Sequence, residues 1–90
     1  MSSILILGHQ GFIGSFLLKS LAKTKNRVHT PPDGCDLRDY SVFDKIEVSP
    51  DIIIHLAAHT PQVVQDPFEI ISNNFLITAN VLKFARQKRI

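Results

Sequence analysis

The chain has 90 residues, of which 44% are hydrophobic and 20% are charged, and its formal net charge is +2. A chain of this length forms at most one domain and removes only roughly 60–65% of its unfolded surface from water, so its stability is marginal. The composition excludes a disordered or membrane-embedded chain, and the scattered basic residues are unlike the broad basic face that binds nucleic acid.

Cysteine usage and the N-terminus indicate the compartment. Cys35 is the single cysteine, which excludes an internal disulfide and suits a reducing environment. No apolar run is long enough to cross a membrane, and the N-terminus lacks the basic region and cleavage site of a signal peptide. We therefore expect a cytoplasmic protein without membrane or nucleic-acid partners.

A strand, a glycine-rich turn and a helix open the chain. Residues 4–7 form a short apolar run ended by glycine, which is typical of a strand buried on both faces in a parallel sheet. From Phe12 to Ala22 the apolar residues recur at helical spacing, with lysines outside the stripe. Residues 27–30 are a weaker second strand, because two prolines follow that cannot continue a ladder.

The second half of the chain continues the alternation of strands and helices. Residues 34–37 are a candidate extended segment, and Asp39 is a candidate N-cap for a short helix through Glu47. The run DIIIHL, residues 51–56, predicts another buried strand. A loop with two prolines follows, and from Phe68 the apolar spacing predicts a long helix to about Gln87. Alternating β and α elements predict an α/β fold with parallel strands joined by right-handed crossovers.

Three glycines stand between the first strand and the first helix. Gly8, Gly11 and Gly14 form G-x-x-G-x-x-G, a spacing that permits a sharp turn, close approach of a pyrophosphate and close packing of the helix. The amides at the helix start, including Phe12 and Ile13, would then face an anionic cofactor. A Walker-type phosphate loop fits less well, because it needs glycine and then lysine where this chain has Ile13 and Gly14. The remaining alternative is three turn glycines without a ligand.

The acidic residue expected about 20 positions after the glycines, which would bind the adenosine ribose, is not where it should be. The second strand runs into Thr30, Pro31 and Pro32, while Asp33 and Asp36 come slightly later. Asp36 is a candidate partner of the adenine amino group, and a solvated turn aspartate is an equal alternative.

Four segments in order resemble one family. They are GHQGFIGS, CDLRD, IIIHLAAHT and DPFEIISNNFLITANVLKFAR, and together they span nearly the whole chain. They resemble the extended short-chain dehydrogenases/reductases, the NAD(P)-dependent epimerase/dehydratase group that acts on nucleotide sugars. Within that group they are most similar to the GDP-fucose synthase and dTDP-rhamnose-forming reductase types.

The resemblance implies a partial Rossmann-like sheet of about four strands in the order 3-2-1-4, with residues 34–37 as the third strand. It also implies NAD or NADP as cofactor, with Asp36 and Leu37 bordering the adenine and with Asn74 holding the site from the long helix. Further implied cofactor-binding residues lie at the end of the DIIIHL strand: Leu56, Ala57 and Ala58. Small residues at a strand end are also common packing choices, and the alternative for Asn74 is one polar position on an amphipathic helix.

Two departures limit what the resemblance implies. Gln10 and Pro32 stand where NADP-preferring members place arginines, so the sequence does not favour NADP. His55 and His59 are four residues apart, but one lies in a strand and the other in a loop, so a structural or cofactor-side role is favoured over a metal site.

The catalytic residues of the resembled family have no match in this chain. The family uses a Tyr-x-x-x-Lys pair with a Ser or Thr, whereas Tyr40 is followed four residues later by Asp44. A phenol without a cationic neighbour is a poor base at neutral pH. We therefore expect residues 1–90 to be the N-terminal part of a Rossmann domain, without catalytic residues and without the substrate region.

Two functions stay open at this point. The first is the NAD(P)-binding segment of a nucleotide-sugar epimerase, dehydratase or reductase, which is not catalytic alone. The second is a non-catalytic dinucleotide-binding or interaction module that completes its sheet with a partner chain. The second rests on the outer edge of the DIIIHL strand, which would be unpaired and open to association.

Overall fold

The chain folds around a small parallel sheet. The computed structural model describes residues 1–60, 62 and 64–90. Its elements are β1 (Ser3–Leu7), α1 (Phe12–Leu21), β2 (Arg27–His29), α2 (Ser41–Asp44), β3 (Ile52–His55) and α3 (Pro67–Lys88). The three strands are parallel and lie in the order β2-β1-β3. The predicted α/β class with a Rossmann-like parallel sheet is thus confirmed.

The centre of the sheet is β1, and its apolar run is buried on both faces. Leu5 and Leu7 point to one face, where they join the core residues of the later elements: Leu37, Val42, Phe43, Ile77, Val81 and Phe84. Because side chains alternate along a strand, Ile4 and Ile6 point to the other face, where α1 contacts β1. A strand covered on both sides explains the continuous apolar sequence.

Hydrogen bonds near the strand starts set the register of the sheet. Ser2 N donates to Asn26 Oδ1 at 2.9 Å, and Arg27 N donates to Ser2 O at 2.9 Å. On the other side Ser3 N donates to Asp51 Oδ2 at 2.8 Å, and Asp51 N donates to Ser3 O at 2.8 Å. These bonds align the three strands, so their carboxyl ends meet at one edge of the sheet.

The expected strand at residues 34–37 is not formed, so the expected four strands in the order 3-2-1-4 are not confirmed. Gly34 lies in the left-handed region, with φ 74°, and Cys35 N donates back to Pro32 O at 3.3 Å. This turn replaces the extended backbone that a ladder needs. Leu37 instead packs into the core under α2 and α3.

The helices also differ in part from the expectation. The α2 helix ends at Asp44 rather than continuing to Glu47. The α3 helix begins one residue before Phe68, with Pro67 at its first position and Asp66 accepting a cap bond from Phe68 N. Pro is favoured there because its missing N–H would have no helical partner. Among the described residues, no helix has the length and apolarity that a membrane crossing requires.

Both long helices leave apolar side chains in water. On α3 the side opposite the core carries Phe68, Ile71, Phe75 and Leu82, which we call the outer face of α3. On α1 the side chains of Phe12, Ile13 and Phe16 are exposed, although the apolar stripe predicts a buried face. The helical spacing of apolar residues therefore predicted the two helices correctly. It did not predict which of those apolar residues are buried.

Candidate functional site

The glycine turn brings the end of β1 against the end of β3. Gly8 has φ +93°, a conformation that side chains rarely allow, and a Cβ there would lie 2.6 Å from Ala57 N. The turn closes with a bond from Gly11 N to Gly8 O of 3.2 Å. A residue without a side chain is required here, because the loop and the backbone after β3 touch directly.

The first turn of α1 sits directly on the same loop. A Cβ on Gly14 would lie 1.9 Å from Gly8 O, so only glycine allows the helix to approach this closely. Gly11 is the N-cap, with extended φ −75° and ψ 171°, and the first intrahelical bond runs from Ser15 N to Gly11 O. By position, the amides of Phe12, Ile13 and Gly14 have no intrahelical acceptor and offer donors to an anion.

A cavity of about 340 Å³ opens beside this loop at the carboxyl ends of the strands. This volume lies within the roughly 300–1,000 Å³ of small-molecule and cofactor sites. Its walls come from the glycine loop, the segment after β2, the loop after β3 and one core residue. The lining residues are Gly8, His9, Gln10, Gly11, Pro31, Cys35, Asp36, Leu37, Arg38, Leu56, Ala57, Ala58, His59 and Ile77.

One wall of the cavity is the segment with Asp36 and Arg38. The Arg38 guanidinium donates two hydrogen bonds to the Asp36 carboxylate, from Nη2 to Oδ2 at 2.7 Å and from Nε to Oδ1 at 3.0 Å. These side-chain bonds, with a backbone bond from Arg38, lower the pKa of Asp36 to about 2. Asn80, buried on α3, donates to the carbonyls of Leu37 and Arg38 at 2.9 and 3.0 Å. The segment with Asp36 and Arg38 is therefore held in place by α3, and the Asp36 carboxylate stays ionised at neutral pH.

The opposite wall is the loop after β3, held by two neighbouring asparagines of α3. Asn74 accepts from His59 N at 2.6 Å and donates to His59 O at 3.0 Å. Asn73 donates to His59 Nδ1 at 2.9 Å and accepts from Arg38 Nη1 at 3.2 Å. Through Asn73, a chain of hydrogen bonds runs from Asp36 on one wall of the cavity to His59 on the other.

The residues expected at a cofactor fall into two groups. Seven of them line the cavity: Gly8, Gly11, Asp36, Leu37, Leu56, Ala57 and Ala58. The other four stand behind it or at its rim. Phe12 and Ile13 point into water from the first turn of α1, Gly14 is buried against the loop, and Asn74 reaches the cavity through the His59 backbone.

The sequence reasoning missed several residues that shape the cavity. His9 is buried, and its Nε2 donates to Asp33 Oδ1 at 2.7 Å, while Gly34 N donates to Gln10 Oε1 at 2.8 Å. Arg38 and Asn73 were missed as well. No local pattern marks the bonds of His9 and Gln10 or the bond between Arg38 and Asn73, because the bonded residues are 24 or 35 positions apart.

Tyr40 does not line the cavity, and Cys35 lines it with a thiol that is not activated. Tyr40 donates its hydroxyl to Gln87 Oε1 at 2.6 Å, and burial raises its pKa. The ammonium of Lys83 lies 4.1 Å above the ring centroid rather than beside the hydroxyl. Burial also raises the pKa of Cys35, so its thiolate is disfavoured.

The two histidines of the motif HLAAH are separated by the fold. His55 lies in β3, where its Nε2 is 3.4 Å from Thr78 Oγ1 and burial lowers its pKa. His59 lines the cavity and bonds to Asn73. Within residues 1–60, 62 and 64–90 there is no group of three or more His, Cys, Asp or Glu side chains that could hold a metal ion.

The fold and the cavity together define a class of nucleotide-binding α/β proteins, those with a glycine turn between the first parallel strand and a helix at the mouth of a ligand crevice. The chain belongs to the NAD dependent epimerase/dehydratase family, whose model matches residues 4–90. The family description names NAD, which confirms the predicted class of cofactor. A search of curated proteins finds no match.

Solved structures of longer proteins share this fold. RMD from Pseudomonas aeruginosa, in complex with NADPH, is 29% identical with a TM-score of 0.81, and the match covers 98% of this chain and 32% of that one. The UDP-Glc/GlcNAc 4-epimerase of Campylobacter jejuni is 24% identical with a TM-score of 0.82, covering 98% and 34%. A UDP-galactose 4-epimerase is 25% identical with a TM-score of 0.71, covering 98% and 35%. The chain thus spans about a third of the length of these proteins.

Proposed function

We propose that this chain is the NAD(P)-binding segment of a nucleotide-sugar epimerase, dehydratase or reductase and that it does not turn over substrate alone. The observation that carries the proposal is the close approach of Gly8 to Ala57 and of Gly14 to Gly8 O, beside a cavity that the glycine loop lines from Gly8 to Gly11. The family membership and the NADPH held by RMD support it. When bound, the nicotinamide would supply or accept a hydride in the complete enzyme.

The cavity residues divide between the parts of such a cofactor. The diphosphate would rest on the amides of Phe12 and Ile13, because a helix start combines free N–H groups with partial positive charge. The adenine would lie against Asp36 and Leu37, where the ionised carboxylate accepts from its amino group. Leu56, Ala57 and Ala58 would border the diphosphate on the other side, with Asn74 fixing their loop through His59.

The proposed diphosphate site can be tested with a side chain that fills it without disturbing the fold. A Cβ on Gly11 meets only Gly8 O, at 3.5 Å, and the backbone there is extended, so Gly11→Val should fold. Its branched side chain would occupy the space of the diphosphate. Calorimetric titration with NAD, NADH, NADP and NADPH should show saturable binding to the original chain and at least a tenfold loss (about 1.4 kcal/mol) in the variant.

The matched control is Ser20→Val, which adds the same side chain at an exposed position of α1 away from the cavity. It should bind as the original chain does. Absence of binding to all four dinucleotides by a chain with a folded circular dichroism spectrum would refute the proposed function.

A second candidate is a dinucleotide-binding or interaction module that completes its sheet with another polypeptide. It is favoured by the position of β3, which pairs with β1 on one side and is the last strand on its side of the sheet formed by the described residues. Ile52, at its start, is exposed. Co-purification of a separate chain carrying a Tyr-x-x-x-Lys pair would support this candidate, and activity of the isolated chain would contradict both candidates.

A further inference from the structure

Asn73 is a polar side chain among the buried residues of α3. It is only 9% exposed, and the other buried residues of this helix are Ile77, Asn80, Val81 and Phe84. A buried amide is tolerated when its hydrogen bonds are satisfied. Here its Oδ1 accepts from Arg38 Nη1 at 3.2 Å, and its Nδ2 lies 2.9 Å from His59 Nδ1. Both partners of this buried amide line the cavity.

The direction of these two hydrogen bonds follows from Arg38. A guanidinium only donates, so the Asn73 atom that faces it is the carbonyl oxygen. The amide nitrogen, which also only donates, then faces His59 Nδ1, and this ring nitrogen has to accept. In a neutral imidazole one ring nitrogen accepts and the other carries the proton. The neutral His59 ring is therefore held with its proton on Nε2.

His59 keeps this ring N–H as a donor for a ligand. Its backbone N–H and carbonyl are bonded to Asn74 at 2.6 and 3.0 Å, and its Nδ1 is bonded to Asn73. Its Nε2 has no hydrogen-bond partner within the parts of the chain that the structure describes, residues 1–60, 62 and 64–90. Because His59 lines the cavity, a bound molecule with an acceptor atom can complete its hydrogen bonding.

We infer that Asn73 is a positioning residue that holds His59 as an Nε2–H donor to an acceptor atom of the bound dinucleotide. This inference rests on the proposed function and adds two residues to its site. Arg38 orients the amide that orients the imidazole, and Asp36 keeps the guanidinium in place at 2.7 Å. Binding groups are most effective when neighbouring hydrogen bonds lock their orientation in this way. The acceptor belongs either to the adenosine or to the diphosphate.

The tautomer of His59 is measured first, in the free 90-residue chain at about pH 8.5, where an ordinary histidine is neutral. Long-range ¹H–¹⁵N NMR spectra distinguish the protonated ring nitrogen from the other one. We expect the proton on Nε2. In Asn73→Asp both side-chain oxygens accept, so the bond from Arg38 remains while the proton of His59 moves to Nδ1. A proton on Nδ1 in the original chain would overturn the inference.

Two variants of His59 show whether the dinucleotide uses this donor. Calorimetric titration is made with whichever of NAD, NADH, NADP and NADPH binds the original chain most tightly. His59→Asn keeps an acceptor at about the place of Nδ1 but has no atom at the place of Nε2. Its affinity should fall about three- to tenfold, which is the value of one hydrogen bond. His59→Gln, whose amide nitrogen reaches about the place of Nε2, should recover much of this loss.

Asn73→Asp tests the positioning role itself. Its affinity should fall by about threefold or more, because His59 then turns an acceptor instead of a donor toward the ligand. Ser72→Asp adds the same charge at the neighbouring exposed position of α3, so it is the matched control and should bind as the original chain does. The variants of His59 alter a loop residue and carry the test even where the buried Asn73→Asp does not fold.

Adenosine and ADP identify the acceptor atom. A loss of affinity in His59→Asn that appears with adenosine assigns the acceptor to the nucleoside. A loss that appears with ADP but not with adenosine assigns it to the diphosphate. Either result supports the inference.

Two binding results would overturn the inference while leaving the proposed function intact. One is a folded His59→Asn variant that binds the dinucleotide as tightly as the original chain. The other is an equal loss in His59→Asn and His59→Gln, which would show that the ring matters and its N–H does not. Failure of the folded original chain to bind any of the four dinucleotides would instead refute the proposed function and this inference with it.

Discussion

Gly14 is the residue at which one added methyl group would disturb the molecule most. Its Cβ would come within 1.9 Å of Gly8 O, a backbone atom of the loop that cannot rotate away. We expect Gly14→Ala to lower the free energy of unfolding by about 3 kcal/mol, as overpacking against fixed atoms does. Urea denaturation followed by circular dichroism measures this change.

The matched control for Gly14→Ala is Gly11→Ala. There the nearest atom to the added Cβ is Gly8 O at 3.5 Å, an ordinary contact, and the backbone is extended. Alanine at this N-cap should cost about 0.5–1 kcal/mol, because glycine is the better N-cap residue. Equal destabilisation by the two variants would show that α1 does not pack on the glycine loop as described.

Arg38 sets the ionisation of Asp36. The folded pKa of Asp36, about 2, lies below its ordinary value of 3.8. The pair therefore stabilises the fold fully above pH 3.8, and this contribution disappears as the pH falls through about 2. Because the pair is partly exposed, its contribution to stability is small. Arg38→Gln should raise the pKa of Asp36 toward 3.8.

The pKa of Asp36 can be followed through its carboxyl ¹³C shift in an NMR pH titration. Asp39 serves as an internal control, since its pKa is lowered chiefly by hydrogen bonds from Ser41 rather than by Arg38. A variant in which Asp36 still titrates near pH 2 would mean that another group holds the carboxylate.

At the scale of elements, α3 is the support on which both cavity walls rest. Asn80 reaches Leu37 and Arg38, while Asn73 and Asn74 reach His59. We expect Asn80→Ala to cost about 1–3 kcal/mol of unfolding free energy, because it removes the buried donor for two carbonyls. It should also weaken dinucleotide binding, since the adenine segment is no longer held.

The control for Asn80→Ala is Ser72→Ala, which lies on the exposed side of the same helix. Alanine favours helix, so Ser72→Ala should leave stability equal or slightly higher. Thermal unfolding and calorimetric titration of both variants give the comparison. If Asn80→Ala bound dinucleotide as the original chain does, the segment of Asp36, Leu37 and Arg38 would not need the hydrogen bonds from α3 for binding.

The elements also show which parts of the fold could be predicted from sequence. The unit β1–turn–α1 was predictable because apolar periodicity and glycine spacing are local signals. The strand expected at residues 34–37 is not formed, because Gly34 has φ 74° and Cys35 N donates to Pro32 O in a local turn. The contact of Asp33 with His9 was not predictable from a local pattern, because the two residues are 24 positions apart.

The candidate site was predictable to a similar degree. The glycine loop followed from its own residues, whereas the position of Ala57 beside Gly8 came only from a family resemblance. Arg38 and Asn73 were not found. The ion pair of Arg38 with Asp36 and the hydrogen bonds of Asn73 to both cavity walls produce no periodic pattern in the sequence. What escapes sequence reasoning here is contact between segments that local patterns treat separately.

At the scale of the whole molecule, the exposed apolar surface sets the behaviour of the chain in solution. The outer face of α3 presents Phe68, Ile71, Phe75 and Leu82 to water. The side chains of Phe68 and Phe75 are 82% and 75% exposed. Contiguous apolar patches of this kind are uncommon on monomeric proteins and favour association. We expect the isolated chain to self-associate as its concentration rises, which sedimentation velocity measures directly.

The double variant Ile71→Glu/Phe75→Lys should shift the chain toward monomer without loss of stability. Both positions face water, so no core packing is removed, and a glutamate four residues before a lysine contributes about 0.2–0.5 kcal/mol to a helix. Ser20→Glu, which adds charge on α1 away from this face, should change association much less. If the double variant sedimented as the original chain does while keeping its melting temperature, association would have to proceed through α1 or the free edge of β3, and the outer face of α3 would have no part in it.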